Sequence, residues 1–345
     1  MKLTSLERKV LWGLTCHPEM SLKALSRELE LNYWSIYKIR EKFRREGLIK
    51  EVLIPNYRAL GFELLVAGYG SITREKLQYI SSLEKAIKNN CEICESGMFF
   101  AFTESYRGFT LGVMKNYTQL VKNLLYMDRI TGLREIMRRE TPKLILLPLE
   151  ITQLPIFFDY SNLISREFGF PTCSRRRILN PSGTLSRNEI IIMKELVQKP
   201  AITLKSLSEK VNMSREKVRK IREKLLNKGW CIPRVIPDMR ALGYEVIVFA
   251  HWESNPMGII KIERNIKNLD IDLSRVIFLA YNPLEGIVIA LFKSLGESRE
   301  IISLFSKFVE RENVLIREPD ILFLSLEEGK EIKSHEHHPI LSSLL

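Results

Sequence analysis

Cysteine, glutamine and long apolar runs are scarce in this sequence. The 345 residues include five cysteines, an odd number scattered along the chain, which argues against the disulfide scaffold of a small secreted protein. Only four glutamines occur, a composition compatible with a thermophilic source. No apolar run approaches the roughly 18–20 residues that span a bilayer, and the N-terminus lacks the apolar core of a secretory signal. We therefore expect a cytoplasmic protein that does not enter a membrane.

The sequence also lacks the motifs of common enzymes. It contains no glycine-rich phosphate loop, no nucleophile elbow and no His-Glu-x-x-His motif. Cys91 and Cys94 form a CxxC motif without a second pair, which is weak evidence for a metal or redox site. Cys16-His17 before Pro18 indicates a turn. Three histidines near the C-terminus, which are more typical of a solvated tail than of a metal site, are His335, His337 and His338. We expect no catalytic residue, no metal and no cofactor.

Positive charge is in excess. Lysine and arginine number 53 against 41 acidic residues, a net charge of +12. Such an excess indicates a polyanionic partner only where it is concentrated. Residues 33–50 hold six basic and two acidic residues, and residues 215–234 hold eight basic and two acidic residues, so their net charges are +4 and +6. Most of the excess thus lies in two short segments, which indicates nucleic acid.

Those two segments occupy equivalent places in an internal repeat. With an offset of 182 residues, Leu3–Glu63 aligns with Leu185–Glu245 without a gap and with 21 identities in 61 positions. The match continues more weakly, from Gly108–Lys115 to Gly286–Lys293 and from Pro142–Glu150 to Pro319–Glu327. The chain is therefore predicted to be two tandem copies of a unit of about 150 residues.

Each copy begins with the pattern of a winged helix-turn-helix. Capping boxes at Thr4 and Ser186, then caps at Ser21 and Thr203 and at Asn32 and Ser214, predict three helices in each copy. The third helix ends before Gly47 or Gly229, and Leu48–Ile54 or Trp230–Ile236 follows as a short wing strand. Two helices joined by a short turn, the second longer and basic, are typical of DNA-binding proteins.

The third helices are the predicted DNA-reading elements. Ile36, Ile39 and Phe43, with Val218, Ile221 and Leu225, form the inward faces. A helix in the major groove presents residues near its N-terminus to base edges, while flanking cations contact phosphates. The predicted contacts are Tyr33, Trp34, Ser35, Tyr37, Lys38 and Lys42 in copy one, Arg215, Lys217, Arg219, Lys220 and Lys224 in copy two, and Lys50 and Arg234 as backbone contacts in the wings.

After the wing, each copy changes from helical to strand-like patterning. Copy one predicts strands at Phe62–Ser71, Met98–Thr103, Gly108–Lys115 and Lys143–Leu149, with helices at Arg74–Lys88 and Tyr117–Met127. Copy two predicts strands at Tyr244–Trp252, Arg275–Ala280, Gly286–Lys293 and Asp320–Leu326, with helices at Gly258–Asn268 and Glu297–Glu310. The order βαββαβ is that of a ferredoxin-like domain, so the fold class is α+β.

This organisation resembles the Lrp/AsnC family of bacterial and archaeal regulators. The best local mark is the exit from the wing, Pro55 to Leu60-Gly61 and Pro237 to Leu242-Gly243. The resemblance implies a promoter-binding regulator, here a covalent version of a dimer that the family forms through its ferredoxin-like domains, with an archaeal source. It also implies an imperfect palindrome as the site. A basal factor such as transcription factor B and a second copy of this chain are further partners that it allows.

The predicted domains are a winged helix-turn-helix at residues 1–60, a ferredoxin-like domain at 61–150, a connector at 151–183, a second winged helix-turn-helix at 184–242, a second ferredoxin-like domain at 243–328 and a C-terminal tail at 329–345.

Two functional alternatives stay open. Family members that sense amino acids carry a Gly…Asp pattern in the loop that corresponds to Thr103–Gly108 and Tyr281–Gly286, and both loops depart from it. Sirohaem decarboxylases resemble the same fold family and would use His and Arg in an α/β cavity, where this chain offers His251. The aromatic stretch Phe157–Tyr160 is a candidate docking site for a partner.

Overall fold

The computed structural model describes residues 2–71, 97–105, 107–131, 143–173, 178–255, 273–311 and 315–345. Within these residues the α-helices are α1 Ser5–Cys16, α2 Leu22–Glu28, α3 Tyr33–Arg45, α4 Tyr117–Thr131, α5 Ser161–Phe168, α6 Arg187–Gln198, α7 Leu204–Lys210, α8 Arg215–Asn227 and α9 Leu295–Arg311. The strands are β1 Ile49–Pro55, β2 Leu64–Ser71, β3 Met98–Glu104, β4 Arg107–Met114, β5 Lys143–Pro148, β6 Gln153–Phe157, β7 Cys231–Pro237, β8 Val246–Glu253, β9 Val276–Tyr281, β10 Glu285–Phe292, β11 Asp320–Ser325 and β12 Lys330–Ser334. Two short 3₁₀ helices are Leu273–Arg275 and Ile340–Leu344.

The helix-turn-helix boundaries follow the predicted caps. Thr4 and Ser186 each form a complete capping box, with Glu7 and Glu189 respectively. The side chains of Ser21, Thr203, Asn32 and Ser214 each accept a backbone N–H in the first turn of the helix that follows. Gly47 and Gly229 have φ of 71° and 79°, the left-handed conformation that ends a helix. The predicted three-helix order is confirmed in both halves.

The α/β strands are confirmed to within about two residues of their predicted ends. One sheet has the order β12-β3-β4-β2-β5 and another has the order β11-β8-β10-β9-β6. In each, the four strands of one predicted ferredoxin-like domain are adjacent and antiparallel. The fold class is therefore α+β, as predicted. The predicted helices Arg74–Lys88 and Gly258–Asn268, and the Cys91/Cys94 motif, lie outside the described residues.

Each sheet gains a fifth strand, from the predicted connector in one case and from the predicted C-terminal tail in the other. Strand β6 pairs with β9, and β12 pairs with β3. Beyond these strands Phe158 and His335, 177 residues apart, both take positive φ, at 45° and 54°. The solvated tail was therefore a wrong expectation, because His335, His337 and Leu341 are buried.

The chain forms two compact units that each combine both halves of the sequence. The first unit holds residues 1–52, 153–177 and 233–327, and the second holds residues 53–152, 178–232 and 328–345. Each helix-turn-helix thus belongs to the same unit as the α/β sheet from the other half. The chain passes from one unit to the other within β1 and again within β7. In the first unit the Asp238 N–H donates to the Leu48 carbonyl, and in the second unit the Asn56 N–H donates to the Trp230 carbonyl.

A strand and a following helix join the sheet to the helix-turn-helix inside each unit. In the first unit α5 follows β6 and packs on α1, where Trp12 Nε1 donates to Ser165 Oγ at 3.0 Å. In the second unit the 3₁₀ helix after β12 packs on α6, and Leu341 enters the core around Val218 and Leu225. No helix in the described part of the chain is long and apolar enough to cross a membrane.

Candidate nucleic-acid interface

The third helix of each half places its predicted contact residues on an accessible face. The inward residues Ile36, Phe43, Val218, Ile221 and Leu225 are buried, whereas Ile39 is only partly buried. On the outer faces the exposed residues are Tyr33, Trp34, Tyr37, Lys38, Arg215, Lys217, Arg219 and Lys220, and those half-buried are Ser35, Lys42 and Lys224. Because this inward packing fixes the rotation of each helix, the predicted reading residues remain available to a ligand.

Helix α3 carries an exposed aromatic cluster, which we define as Tyr33, Trp34 and Tyr37. Asn32 Oδ1 accepts the Trp34 N–H at 2.8 Å, so the helix starts at the first aromatic residue. The Tyr33 ring stacks with Tyr37 and meets Trp34 edge-on, with centroids 6.4 and 5.4 Å apart. Trp34 is 63% exposed. The cluster is preorganised by its own ring contacts and presents an apolar surface at the helix N-terminus.

Helix α8 carries charge at the equivalent positions. Arg219 lies between two carboxylates: it donates to Glu216 at 2.9 Å and to Glu223 at 3.2 Å. The Lys220 ammonium is 3.7 Å from Glu216. These residues are about half exposed or more, so the pairs are weak and a phosphate can replace the carboxylates. The hydrogen bond from Arg219 lowers the pKa of Glu216, which therefore stays ionised at neutral pH.

Two predicted DNA contacts also belong to an ion pair that recurs in both halves. Lys42 Nζ lies 2.7 Å from Glu7, and Lys224 Nζ lies 2.5 Å from Glu189. Each carboxylate also completes the capping box of the first helix, so it joins the first helix to the third. The hydrogen bond from Lys42 lowers the pKa of Glu7, with a further contribution from the Thr4 backbone N–H. Burial alone raises the pKa of Glu189, but its hydrogen bonds with Lys224 and Ser186 outweigh that effect and the pKa is lowered.

This double role was missed by sequence reasoning, although a signal existed. Glu7 and Glu189, like Lys42 and Lys224, are identical pairs at the 182-residue offset. The capping pattern assigns these carboxylates to the first helix alone, and outward charge assigns the lysines to the exposed face alone. Helix α3 carries two further ion pairs, Arg40 with Glu51 and Arg44 with Glu41.

The two predicted wing contacts differ. Lys50 is exposed on β1. Arg234 is buried on β7, where its Nε donates to the Phe157 carbonyl at 3.2 Å and its guanidinium lies 3.7 Å from Asp159. A side chain held in this way does not reach a phosphate, so the structure gives Arg234 an internal role and corrects the expectation of a backbone contact.

The aromatic stretch proposed as a docking site is also internal. Phe157, Phe158, Asp159 and Tyr160 are all buried. The Phe158 ring packs against Phe278, with centroids 5.2 Å apart. Asp159 accepts hydrogen bonds from the backbone N–H and the hydroxyl of Ser161, the first residue of α5. No surface remains here for a partner.

The cysteine at the end of α1 does more than mark a turn. Cys16 is joined to Cys173 in a disulfide, with Cα atoms 5.8 Å apart. The bond fastens α1 to the segment after α5, within the first compact unit. Cys231 is a buried free thiol, and burial raises its pKa to about 12, so it is inert at neutral pH.

His251 and His337 have partners within the α/β parts of the chain. His251 on β8 lies 3.2 Å from Glu285 and 3.8 Å from Asp320. His337 hydrogen-bonds to the Tyr57 hydroxyl at 2.7 Å inside the second unit. In the described residues no three His, Cys, Asp or Glu side chains are grouped as metal ligands.

The two hairpin glycines have a packing explanation. A Cβ at Gly108 would lie 2.6 Å from the Phe102 carbonyl oxygen, and one at Gly286 would collide with the Trp252 ring. The neighbouring strand leaves no room for a larger residue at either position. These two glycines are therefore not evidence for an amino-acid effector site.

Comparison with known proteins gives one domain match and several fold matches. Residues 185–230 match the family model of winged helix-turn-helix DNA-binding domains. No curated protein matches the chain. The crystal structure of the sirohaem decarboxylase NirDL is similar over 99% of this chain and 98% of that chain, with 15% identity and a TM-score of 0.53.

Two Lrp/AsnC-type structures are similar to part of the chain. LrpC of B. subtilis covers 42% of this chain and 95% of its own, with 14% identity and a TM-score of 0.30. AsnC of E. coli covers 43% and 93%, with 16% identity and a TM-score of 0.31. The chain therefore contains a winged helix-turn-helix domain together with α+β units, and its whole-chain likeness to the decarboxylase structure is one of fold.

Proposed function

We propose that this protein is a sequence-specific, double-stranded DNA-binding transcription regulator. The observation that carries the proposal is α8, whose outward face is basic and exposed and which lies inside the segment matched as a DNA-binding domain. Lysine and arginine on such a helix displace counterions from phosphates, and residues near its N-terminus reach base edges. Helix α3 has the same local architecture and supplies a second reading element.

The target in this proposal is an imperfect palindrome with two unequal half-sites. Helix α8 presents Arg215, Lys217 and Lys220, whereas α3 presents aromatic rings with Lys38 beside them. The half-site bound by α8 therefore supplies more of the salt-dependent affinity. We attribute the arrangement to tandem duplication of an Lrp/AsnC-like ancestor, in an archaeal source. At promoters the protein would recruit a basal factor such as transcription factor B, or block it, and pairing with a second chain would extend the site.

Selection from a random duplex library with the full chain tests the proposal. We expect two distinct sequence elements at a constant spacing, protected together in a footprint. A double variant, Arg219→Ala with Lys220→Ala, should weaken binding to every selected sequence. If the selection at moderate salt enriches no particular sequence, the proposal is contradicted.

A second candidate function rests on the whole-chain fold similarity to the sirohaem decarboxylase. In that case the protein would be an enzyme acting on a sirohaem-like tetrapyrrole through its α/β domains, and His251 between two carboxylates would be a candidate participant. Titration of the purified protein with sirohaem, followed by absorbance and by carbon dioxide release, distinguishes the two. A saturable spectral change with turnover, in a protein that selects no DNA, would favour the enzyme.

A further inference from the structure

The aromatic cluster of α3 occupies positions where DNA-binding helices usually carry polar side chains. Its members Tyr33, Trp34 and Tyr37 are 39%, 63% and 40% exposed. Three exposed aromatic rings in contact form a contiguous patch, and such patches mark candidate interaction sites. The matching positions of α8 are Arg215, Glu216 and Arg219, so the two helices present opposite chemistry from the same local structure.

We infer that the aromatic cluster contacts the methyl groups of thymines in the major groove, so that thymine defines the half-site bound by α3. The inference rests on the proposed function. Of the four bases only thymine presents a C5-methyl group there, and it lies beside the O4 acceptor. Aromatic carbons match the methyl group, and the hydroxyls of Tyr33 and Tyr37 and the indole N–H of Trp34 are donors for an acceptor such as O4.

The surroundings of the cluster favour a polyanionic duplex over an apolar protein surface. Lys38 is exposed one residue after Tyr37, and Arg45 is exposed at the end of the same helix. From residue 33 to residue 50 the net charge is +4. Cations beside an apolar patch match the groove of a duplex, where phosphates flank the methyl-bearing base edges. The bases in a duplex are stacked, so the rings meet their edges and not their faces.

The test replaces thymine by uracil, which removes only the methyl group. The probe is a duplex enriched from the random library, with thymines exchanged one half-site at a time, and affinity is measured at fixed salt. We expect uracil in one half-site to weaken binding about fourfold for each contacted methyl group, the effect of burying one such group. Uracil in the other half-site should have little effect.

Variants assign the effect to α3. Trp34→Ala should lower affinity and abolish the uracil effect without changing the salt dependence, because an apolar contact releases no counterion. Trp34→Phe should retain part of the uracil effect. The matched control is Arg215→Ala on α8, which should keep the effect in full. Trp34 is mostly solvent-exposed, so its replacement leaves the core intact.

Three results would overturn the inference while leaving DNA binding in place. The first is an unchanged affinity when uracil replaces thymine in either half-site. The second is a uracil effect that persists undiminished in Trp34→Ala. The third is a Trp34→Ala protein that binds DNA with unchanged affinity, which would assign the cluster to another partner. If no duplex is enriched at all, the proposed function itself fails, and the inference fails with it.

Discussion

At the scale of single residues, the same charge serves both the fold and the candidate interface. Lys42 and Lys224 extend from the third helices, yet each lies against the carboxylate that caps the first helix of its own half. Arg219 and Lys220, by contrast, pair with carboxylates of their own exposed helix. Replacing Lys42 or Lys224 is therefore expected to affect stability as well as DNA binding, whereas replacing Arg219 or Lys220 is expected to affect mainly DNA binding.

Replacing Glu7 tests the structural pair. The pKa of Glu7 is lowered from its ordinary value of 4.5, so its ionised form stabilises the fold at neutral pH, and that stability is lost as the pH falls from 4.5 through the lowered pKa. Glu7→Gln keeps a capping side chain but removes the charge. We expect a loss of about 1 kcal/mol in unfolding free energy at pH 7, since Lys42 is partly exposed, and a weaker dependence on acid.

Urea unfolding between pH 3 and pH 7 measures the effect. The matched control is Glu28→Gln, an exposed carboxylate on α2. An acid dependence in Glu7→Gln equal to that of the unmodified protein would show that the pair with Lys42 contributes nothing.

Lys220 tests the charge on α8. Its side chain is 71% exposed and its nearest carboxylate, on Glu216, is 3.7 Å away. Lys220→Ala should weaken binding to all duplexes alike and lower the slope of log affinity against log salt by about 1. Binding is measured by fluorescence anisotropy over a salt series. Lys330→Ala, an exposed lysine on β12, is the control that should leave the slope unchanged.

At the scale of elements, the segments after β5 and β11 are the main departure from expectation. Each supplies a fifth strand to a sheet and then a short helix that packs on a helix-turn-helix. In the first unit a disulfide also joins the segment after this helix to α1. In the second unit Gln198 aligns with Cys16 at the 182-residue offset, and the 3₁₀ helix depends on apolar packing.

Leu341 tests the second of these attachments. It is fully buried in the core of the second helix-turn-helix. Leu341→Ala should cost about 2–5 kcal/mol of unfolding free energy, because it removes buried methyl groups and leaves a cavity. Leu345→Ala, at an exposed position in the same segment, should cost little. Equal stability of the two variants in chemical denaturation would contradict the packing described above.

The disulfide tests the first attachment. Cys16 and Cys173 are 157 residues apart, and a bond that closes a long loop typically contributes about 2–4 kcal/mol. Reduction should therefore lower the melting temperature of the oxidised protein. The Cys173→Ala variant should melt lower and be insensitive to reductant. If reductant lowered the melting temperature of that variant by the same amount, the effect would have to come from another cysteine.

At the scale of the whole molecule, neither half of the sequence contains a complete compact unit. The first unit takes residues 1–52 and 153–177 from one half and residues 233–327 from the other. Each helix-turn-helix thus depends on residues from the opposite half. Because both halves belong to one chain, each helix-turn-helix and the sheet from the opposite half are held at a high effective concentration.

Separating the halves tests this interdependence. Residues 1–177 and 178–345, produced as two chains, should each fail to form a stable folded monomer. Mixing them should restore a complex with one copy of each and a cooperative unfolding transition. Light scattering after size exclusion, with circular dichroism, gives the answer. A monomeric, cooperatively folded 1–177 chain would show that its sheet and its helix-turn-helix do not need the other half.

Much of the local structure was predictable from residues alone. Caps, periodic apolar faces and terminating glycines are local signals, so Thr4, Asn32 and Gly47 defined helix ends correctly. The alternating patterns of the α/β strands were equally clear, as Lys143–Pro148 illustrates. The candidate site was also predictable as a helix face, because inward packing at Ile36 and Phe43 fixes which residues point outward.

Pairing between distant segments was not predictable in the same way. An edge strand such as β6 has the composition of a connector, and its partner β9 is more than a hundred residues away, so nothing in its own residues selects that sheet. The same holds for the Cys16–Cys173 bond and for the burial of Arg234, a cation that sequence pattern alone assigns to the surface.

Residues a few positions apart are enough to fix where helices begin and end, which faces are apolar and where positive charge is concentrated. The sheet that receives β6 or β12, the unit that each helix-turn-helix joins and the cations that pair with internal carboxylates are known from the folded chain alone. These choices depend on the burial and charge compensation available after the chain has folded back on itself, and neighbours in sequence do not encode them.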